Sequence, residues 1–479
     1  MDIVCKNKYF CAENKRFFDM TDNFSEELYE EMLGKLFVRF PSFQKVGAGA
    51  YKPGIANMEF ADQLMGHPHR NYKIVHVAGT NGKGSVSNMI ASALAASGYK
   101  VGLYTSPHIL DFRERMRVVV PEPSCHPERS EGFHYLISKN EVWNFIQQWK
   151  DTFDHLDMSF FEITTLMALD WFATQKVDYV VLETGLGGRL DSTNIVNPVL
   201  SVITNIGLDH CDMLGSTLPE IAFEKAGIIK PCVPVVVGES HSDTDEVFER
   251  KVLYTNLPEP AFMGNRNAIM SLLTFADRTQ PMLWDEHKEL LGAMDLKGSY
   301  QEKNLRTALT ALTVLKVDCK GFLRDAIVDT AARTGFRGRW EKVSDNPYII
   351  CDIGHNEHGL KYNFAQLSNM KQSGEVSDII IVYGSVADKD VDAVMHMMPE
   401  DALYVFTQSS GKRALPASVI YEKYEAMCAA KGLIPRGVYC CDTVSEAMSK
   451  AKELASSECG ARPLIYVGGS TYVVSEAWK

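Results

Sequence analysis

Apolar positions along this chain fall into two recurring patterns. Short unbroken apolar runs, each closing on glycine or a polar side chain, alternate with longer stretches in which apolar residues return every three or four positions. The first pattern suits a strand buried on both faces, and the second a helix with one buried stripe. Residues 74–78 predict a strand and 86–97 a helix. Further strands are predicted at 99–104, 177–182, 200–204 and 233–237, with helices at 140–153, 160–174 and 218–228. Such alternation implies a mainly parallel, doubly wound sheet. A second alternating series begins near Phe336, with strands at 348–351, 378–383, 403–406 and 464–467.

At 479 residues the chain is too long for one compact core. The expected fold class is α/β: an N-terminal doubly wound, mainly parallel sheet carrying a modified phosphate loop, and a smaller Rossmann-like α/β C-terminal domain. The join falls after a helix at 303–315 and the segment 321–333, around Thr334-Gly335. Residues 1–19 read as a disordered extension, 20–334 as the first domain and 335–479 as the second. An amphipathic segment spans 24–40. The stretch 120–133, rich in proline and charge, reads as a solvated surface insertion.

Composition narrows the partners. The chain is 46% hydrophobic and 23% charged, as in ordinary globular proteins, and its formal net charge of −12 argues against nucleic acid or an anionic membrane. No apolar run approaches the ~18 residues of a membrane span. Eleven scattered cysteines without a C-x-x-C pair suit reduced thiols in a cytoplasmic protein and not a zinc site. The N-terminal residues make no convincing signal peptide.

The strand 74–78 runs directly into Gly79-Thr-Asn-Gly-Lys-Gly-Ser85 and then a helix. That order makes a phosphate cradle: backbone N–H groups and a helix N-terminus face the anion, and Lys83 reaches the outer phosphates. Thr80 and Ser85 offer oxygens to phosphate or Mg²⁺. The turn departs from G-x-x-x-x-G-K-[ST], because Val77 stands at the first glycine and Gly84 separates Lys83 from Ser85.

Other polar residues close predicted strands, where ligands gather in such sheets. Ser106, in Thr-Ser-Pro-His, caps a turn or ligates a metal. Glu183 follows a buried run and precedes three glycines, which suits a hard Mg²⁺ ligand. Arg189 and Asp191 are turn residues or substrate contacts. His210, in Gly-Leu-Asp-His, is a structural donor or a metal-site residue. Lys225 by pattern alone is a solvent-facing helix lysine. Asn304 opens a helix where its amide can contact a nucleotide. Arg339 can stabilise a transferring phosphoryl group, and Asp352 can accept from ribose hydroxyls. Surface charge and turn capping are the plainer readings of the last two.

Taken together, these residues resemble the folylpolyglutamate synthase/dihydrofolate synthase family, within the superfamily of Mur-type amide ligases. The motifs stand in family order at 79–85, 105–108 followed by 114–117, 160–165, 183–194, 209–210, 224–227, 337–339 and 352–356. The resemblance covers roughly residue 24 to the C-terminus. It implies that Gly79, Thr80, Asn81, Gly82, Lys83, Gly84 and Ser85 hold the ATP phosphates, with Asn304, Arg339 and Asp352 on the nucleotide. It implies one Mg²⁺ on Ser106 and Glu183 and a second helped by His210. Lys225 would be carbamylated to an anionic metal ligand. Phe161, Asp191 and Ser192 would lie against a pterin-bearing substrate. Lys83, Glu183, His210, Lys225 and Arg339 would form the catalytic set.

The implied reaction is ATP-dependent addition of L-glutamate to dihydropteroate, reduced folates or both, through an acyl phosphate, by a cytoplasmic monomer. A Mur-type ligase acting on a cell-wall nucleotide is the nearest alternative. Its phosphate loop normally reads Gly-Lys-Thr, whereas Gly84 follows Lys83 here. A nucleotide-binding switch or transporter subunit is the alternative of another class. The chain departs from the family pattern at Glu357, which replaces a proline, at the 121–133 insertion, and at the extended N-terminus.

Overall fold

The computed structural model describes residues 24–39, 54–126, 129–257, 265–317 and 321–479, so the expected extension at 1–19 lies outside the described residues. Eight strands form the first sheet: β1 (Lys73–Ala78), β2 (Val101–Tyr104), β3 (Met116–His126), β4 (Arg129–Leu136), β5 (Tyr179–Glu183), β6 (Leu200–Ile203), β7 (Val235–Val237) and β8 (Leu273–Phe275). Their order is β4-β3-β2-β5-β1-β6-β7-β8. β1 lies between β5 and β6 and is parallel to both.

Side chains alternate across this sheet. Ile74, Val180 and Leu182 join one apolar cluster with the helix Phe160–Thr174, while Val75, Val77 and Val181 join another with the helices Lys83–Ala96 and Gln301–Leu315. Both faces of the central strands are therefore covered, which is why their runs read as unbroken. Ser138, Ser159 and Thr217 each cap a helix in a reciprocal box with Glu141, Glu162 and Glu220. These caps place the helix starts within a residue or two of the predicted ones.

The second sheet holds β9 (Glu341–Asp345), β10 (Tyr348–Cys351), β11 (Asp378–Tyr383), β12 (Leu403–Phe406), β13 (Gly437–Cys440) and β14 (Pro463–Gly468), ordered β13-β12-β11-β14-β10-β9. It is parallel except for β9, which pairs antiparallel with β10. The α/β architecture with two separate sheets is as expected.

The segment at 120–133 differs from its sequence reading. Residues 120–126 and 129–133 belong to the antiparallel β3–β4 hairpin at the sheet edge, where a surface insertion without regular structure was expected. Pro121 and Pro123 misled the reading because proline normally ends a strand. Here they fall between the Val119↔His134 and Ser124↔Gly132 pairs, where the register shifts and a missing N–H costs the ladder nothing. β8, β9 and β13 also escaped prediction, being short or partly exposed at sheet edges. The helix expected at 218–228 ends at Lys225 and tightens into a 3₁₀ turn, Ala226–Ile228.

Candidate active site

The carboxyl end of β1 opens into the glycine turn, and sterics dictate its residues. Gly79 has φ +151°, and a Cβ there would stand 1.8 Å from Thr204 Oγ1. Gly82 has φ +80°, and a Cβ there would stand 2.2 Å from Asn304 Oδ1. Any side chain at either position would break the turn. Asn304 thus packs directly on the loop. Thr80 N–H donates to Asn205 O at 3.0 Å and Asn81 N–H to Asn205 Oδ1 at 2.9 Å. Lys83 is the first residue of the helix Lys83–Ala96. Its ammonium donates to Gly79 O at 3.0 Å and Thr80 O at 3.2 Å, across the mouth of the turn. Ser85 is buried and accepts from Gln301 Nε2 at 3.3 Å.

Glu183 ends β5 in register with Val77, beside that turn. It is buried, and Ser106 N–H donates to its Oε2 at 3.2 Å. Burial pushes its pKa up, with Lys83, the Ser106 N–H, Arg339 and Arg117 opposing. Lys225 overturns the solvent-facing reading: it is 4% exposed, and its Nζ donates to Gly79 O at 3.0 Å. Burial, with Lys83 adding to it, lowers the Lys225 amine to about 7. His210 adopts a left-handed φ of +53°, and burial holds its pKa near 3. Burial opposes charge on the neighbouring Asp209, but His210, Lys389 and His355 outweigh it and hold the carboxyl below its usual range. Lys389 Nζ donates to Asp209 Oδ1 at 2.5 Å and Asn356 Nδ2 to Oδ2 at 3.0 Å, so Asp209 ties the two halves together.

These groups surround a cavity of about 260 Å³ lined from both sheets. Gly79, Thr80, Lys83, Ser106, Asp191, Ser192, His210 and Lys225 line it on one side. Phe160, Phe161, Leu186 and Leu190 give it an apolar wall; Phe161 lies over Gly185, where a Cβ would meet its ring at 2.5 Å. Arg115, Lys389, Arg413 and Tyr472 line the cavity as well, with the Arg115 guanidinium 5.4 Å from the centre of the Phe160 ring. Asp191 has its turn role as well: Oδ1 accepts from Thr193 N–H at 3.0 Å, and Oδ2 from Leu186 N–H at 2.8 Å.

Of the expected site residues, Asn81, Gly82, Gly84, Ser85, Glu183, Asn304, Arg339 and Asp352 do not line this cavity. Asn304 lies beneath Gly82, as described. Arg339 Nη1 donates to Gly338 O at 3.3 Å, and its charge acts on Glu183. Asp352 is buried at the end of β10 with both oxygens engaged. Oδ1 accepts from Gly354 N–H (2.7 Å) and Asn363 Nδ2 (2.9 Å), and Oδ2 from Tyr300 OH (2.6 Å) and Trp340 N–H (2.8 Å). Among the described residues no three His, Cys, Asp or Glu side chains gather as a metal site. The expected ligand set contains only Glu183 and His210 of those types. Sequence reading missed Lys389, Arg413 and Tyr472. The available signal was their place after the carboxyl ends of the parallel strands β11, β12 and β14, with Lys389 and Arg413 in loops and Tyr472 in the first turn of the helix Thr471–Ala477.

A glycine turn at the central strand of one α/β unit, faced across a cavity by a second, smaller α/β unit, is the arrangement of Mur-type ligases. The model of the Mur ligase, glutamate ligase domain matches residues 338–470. The chain is 30% identical over 442 residues to the dihydrofolate synthase/folylpolyglutamate synthase of Bacillus subtilis, covering 89% of this chain and 95% of that protein. It is 32% identical to the folylpolyglutamate synthase of Lacticaseibacillus casei, over 76% of this chain and 82% of the relative. A solved bifunctional folylpolyglutamate synthase/dihydrofolate synthase from Yersinia pestis, complexed with AMPPNP and Mn ion, superposes with a TM-score of 0.69 at 25% identity, over 93% of this chain and 96% of that one. The chain belongs to the folylpolyglutamate synthase/dihydrofolate synthase family.

Proposed function

We propose that this protein is an ATP-dependent ligase that joins L-glutamate to dihydropteroate, to reduced folate (poly)glutamates, or to both, releasing ADP and phosphate. One observation carries the reading. Gly79, Thr80 and Lys83 of the phosphate turn, Ser106 (whose N–H holds the buried Glu183), the aromatic wall and cationic side chains from the second sheet converge on one cavity. The division at 334/335 assigns the turn, Glu183, Lys225 and Phe161 to the first domain, and Arg339, Lys389 and Arg413 to the second.

The loop N–H groups, the helix N-terminus and Lys83 hold the ATP phosphates. The pterin end of the acceptor lies against Phe161, with Asp191 and Ser192 shaping the wall behind it. Its carboxylate oxygen attacks the γ-phosphorus as the bond to the β-phosphate oxygen breaks, leaving ADP and an acyl phosphate. The glutamate amine then attacks the acyl carbon, phosphate leaves, and the nitrogen loses a proton. Lys389 and Arg413 are placed to hold glutamate carboxylates, and Arg339 to offset charge near the transferring phosphoryl group.

The donor set fits a divalent metal. Glu183 is a buried carboxylate held by the Ser106 N–H, and a carboxylate and a serine hydroxyl are the hard-oxygen donors that Mg²⁺ takes. Bound there, and at a second site near His210 and a carbamylated Lys225, Mg²⁺ would neutralise phosphate charge. The Lys225 amine, lowered to about 7, supplies the neutral form that reacts with CO₂. Gly84 after Lys83 favours folate substrates over cell-wall nucleotides. Glutamate-dependent ADP release, assayed separately with dihydropteroate and with tetrahydrofolate, tests the proposal. Release with neither would overturn it.

A further inference from the structure

The linker between the sheets, 334–339, touches the first half at several points, while Arg337 turns to Glu341 and Trp478 of the second. Gly335 has φ +69° and packs so closely on the His134 ring that a Cβ would stand 2.3 Å from its Nε2. Phe336 covers Gly84 of the phosphate turn, where a Cβ would meet its ring at 3.1 Å. Gly338 lies against Ile109, in the loop after Ser106; a Cβ there would stand 2.8 Å from Ile109 Cδ1. Just before the linker, the Arg333 guanidinium sits 4.0 Å from the centre of the Phe133 ring. The β3–β4 hairpin is thus the platform on which the linker rests.

Arg117 is at the centre of that platform. It is 4% exposed, and its Nη1 donates to Thr334 O at 2.8 Å. Its Nη2 donates to Thr105 Oγ1, also at 2.8 Å. Nε is buried with no hydrogen-bond partner. Among the described residues this guanidinium forms no ion pair, although Glu114 and Glu183 lie close enough for their charge to favour it. A buried charge without a direct partner is costly. A methionine would fill similar space without that cost, so packing alone does not account for a guanidinium here. The planar fork does what methionine and lysine cannot: two donors in fixed geometry reach two acceptors on different chain segments. One acceptor is the carbonyl that enters the linker. The other is the side chain before Ser106, whose own N–H holds Glu183.

We propose that Arg117 is a positioning residue coupling the linker to the Ser106 loop, so that the C-terminal domain's position and Ser106's placement beside Glu183 are set together. The inference rests on the ligase reading only for its activity readout.

The test compares full-length Arg117→Met, Arg117→Lys and Thr105→Val with the parent chain. The measurements are kcat and KM, ADP affinity by calorimetry, melting temperature, and radius of gyration by X-ray scattering with and without ADP and Mg²⁺. Arg117→Met and Thr105→Val are expected to lower kcat at least tenfold while ADP affinity stays within threefold, because neither touches residues 79–85. The parent is expected to compact when ADP and Mg²⁺ bind, and a parent that does not would overturn the coupling; both variants should lose that compaction, and Arg117→Lys should fall between. Thr105→Val keeps the buried charge and changes one hydroxyl to a methyl, so it stands if Arg117→Met fails to fold. Thr105→Val with parental kcat and compaction would overturn the proposal. Parallel losses of ADP affinity and melting temperature would also overturn it, marking Arg117 as mere structural support. If the parent turns over no substrate, the ligase reading fails, while scattering and calorimetry still decide the coupling.

Discussion

The two sides of the cavity are built by opposite means. On the first-sheet side, backbone and burial make the site: Gly79 and Gly82 admit no side chain, and Glu183, Asp191 and Lys225 are buried. On the second-sheet side, long cationic side chains reach in from loops, with Lys389 on Asp209 and Arg413 on Asp388. A site shaped by backbone cannot yield without losing its form, whereas one made by lysine and arginine can adjust. In the proposed reaction the first side holds the triphosphate and the second holds the glutamate carboxylates.

The largest expected effects fall on the rigid side. Gly82→Ala and Lys83→Ala should each cut glutamate-dependent ADP release at least a thousandfold, about 4 kcal/mol of barrier. The melting temperature of Lys83→Ala should match the parent. Near-normal turnover by either folded variant would remove the phosphate-turn assignment and the contrast with it.

Lys225→Ala should cost about a hundredfold, roughly 2.7 kcal/mol, with ATP binding largely retained. With the amine lowered to about 7, its neutral, CO₂-reactive fraction grows as pH rises through 7. In ¹³C-bicarbonate, a carbamate NMR signal should grow over the same interval and be missing in Lys225→Ala. An alanine variant as active as the parent would sink the metal-ligand role.

On the adjustable side, Lys389→Ala and Arg413→Ala should each raise KM for glutamate about tenfold, about 1.4 kcal/mol, with a smaller change in kcat. A loss confined to kcat would show that this side is as exacting as the first.

The smallest effect tests burial under the turn. His76, in β1, is fully enclosed, and burial lowers its pKa to about 3 from 6.5. The unfolded chain therefore binds the extra proton between about pH 6.5 and 3. This contribution is full above 6.5 and is lost as pH falls toward 3, by at most about 1.4 kcal/mol per pH unit. Urea unfolding of His76→Asn between pH 7 and 5 should show a shallower decline than the parent. Identical slopes would show that His76 does not set it.

How much of this was legible depended on how local the cause was. Strands such as Tyr348–Cys351, Asp378–Tyr383 and Leu403–Phe406 were read at their observed bounds because both faces are buried and their apolar runs are unbroken. The β3–β4 hairpin was not, because its prolines break the pattern and a register shift accommodates them. Lys225 was misread for a similar reason. A helix lysine looks solvent-facing until the turn above it places Gly79 O within reach.

By itself, the sequence determined the alternation of strands and helices, the glycine turn before its helix, and the polar residues that close each strand. These depend on backbone conformation, local hydrogen bonding and the period of apolar side chains, all of which act over a few residues. Only the tertiary structure decided that Asp352 is consumed by Tyr300, Trp340, Gly354 and Asn363. It alone brought Lys389 and Arg413 opposite Lys83, and set Arg117 between Thr105 and Thr334. Those outcomes hinge on burial and on contacts between distant segments, where desolvation and the partners available fix what a charged side chain does.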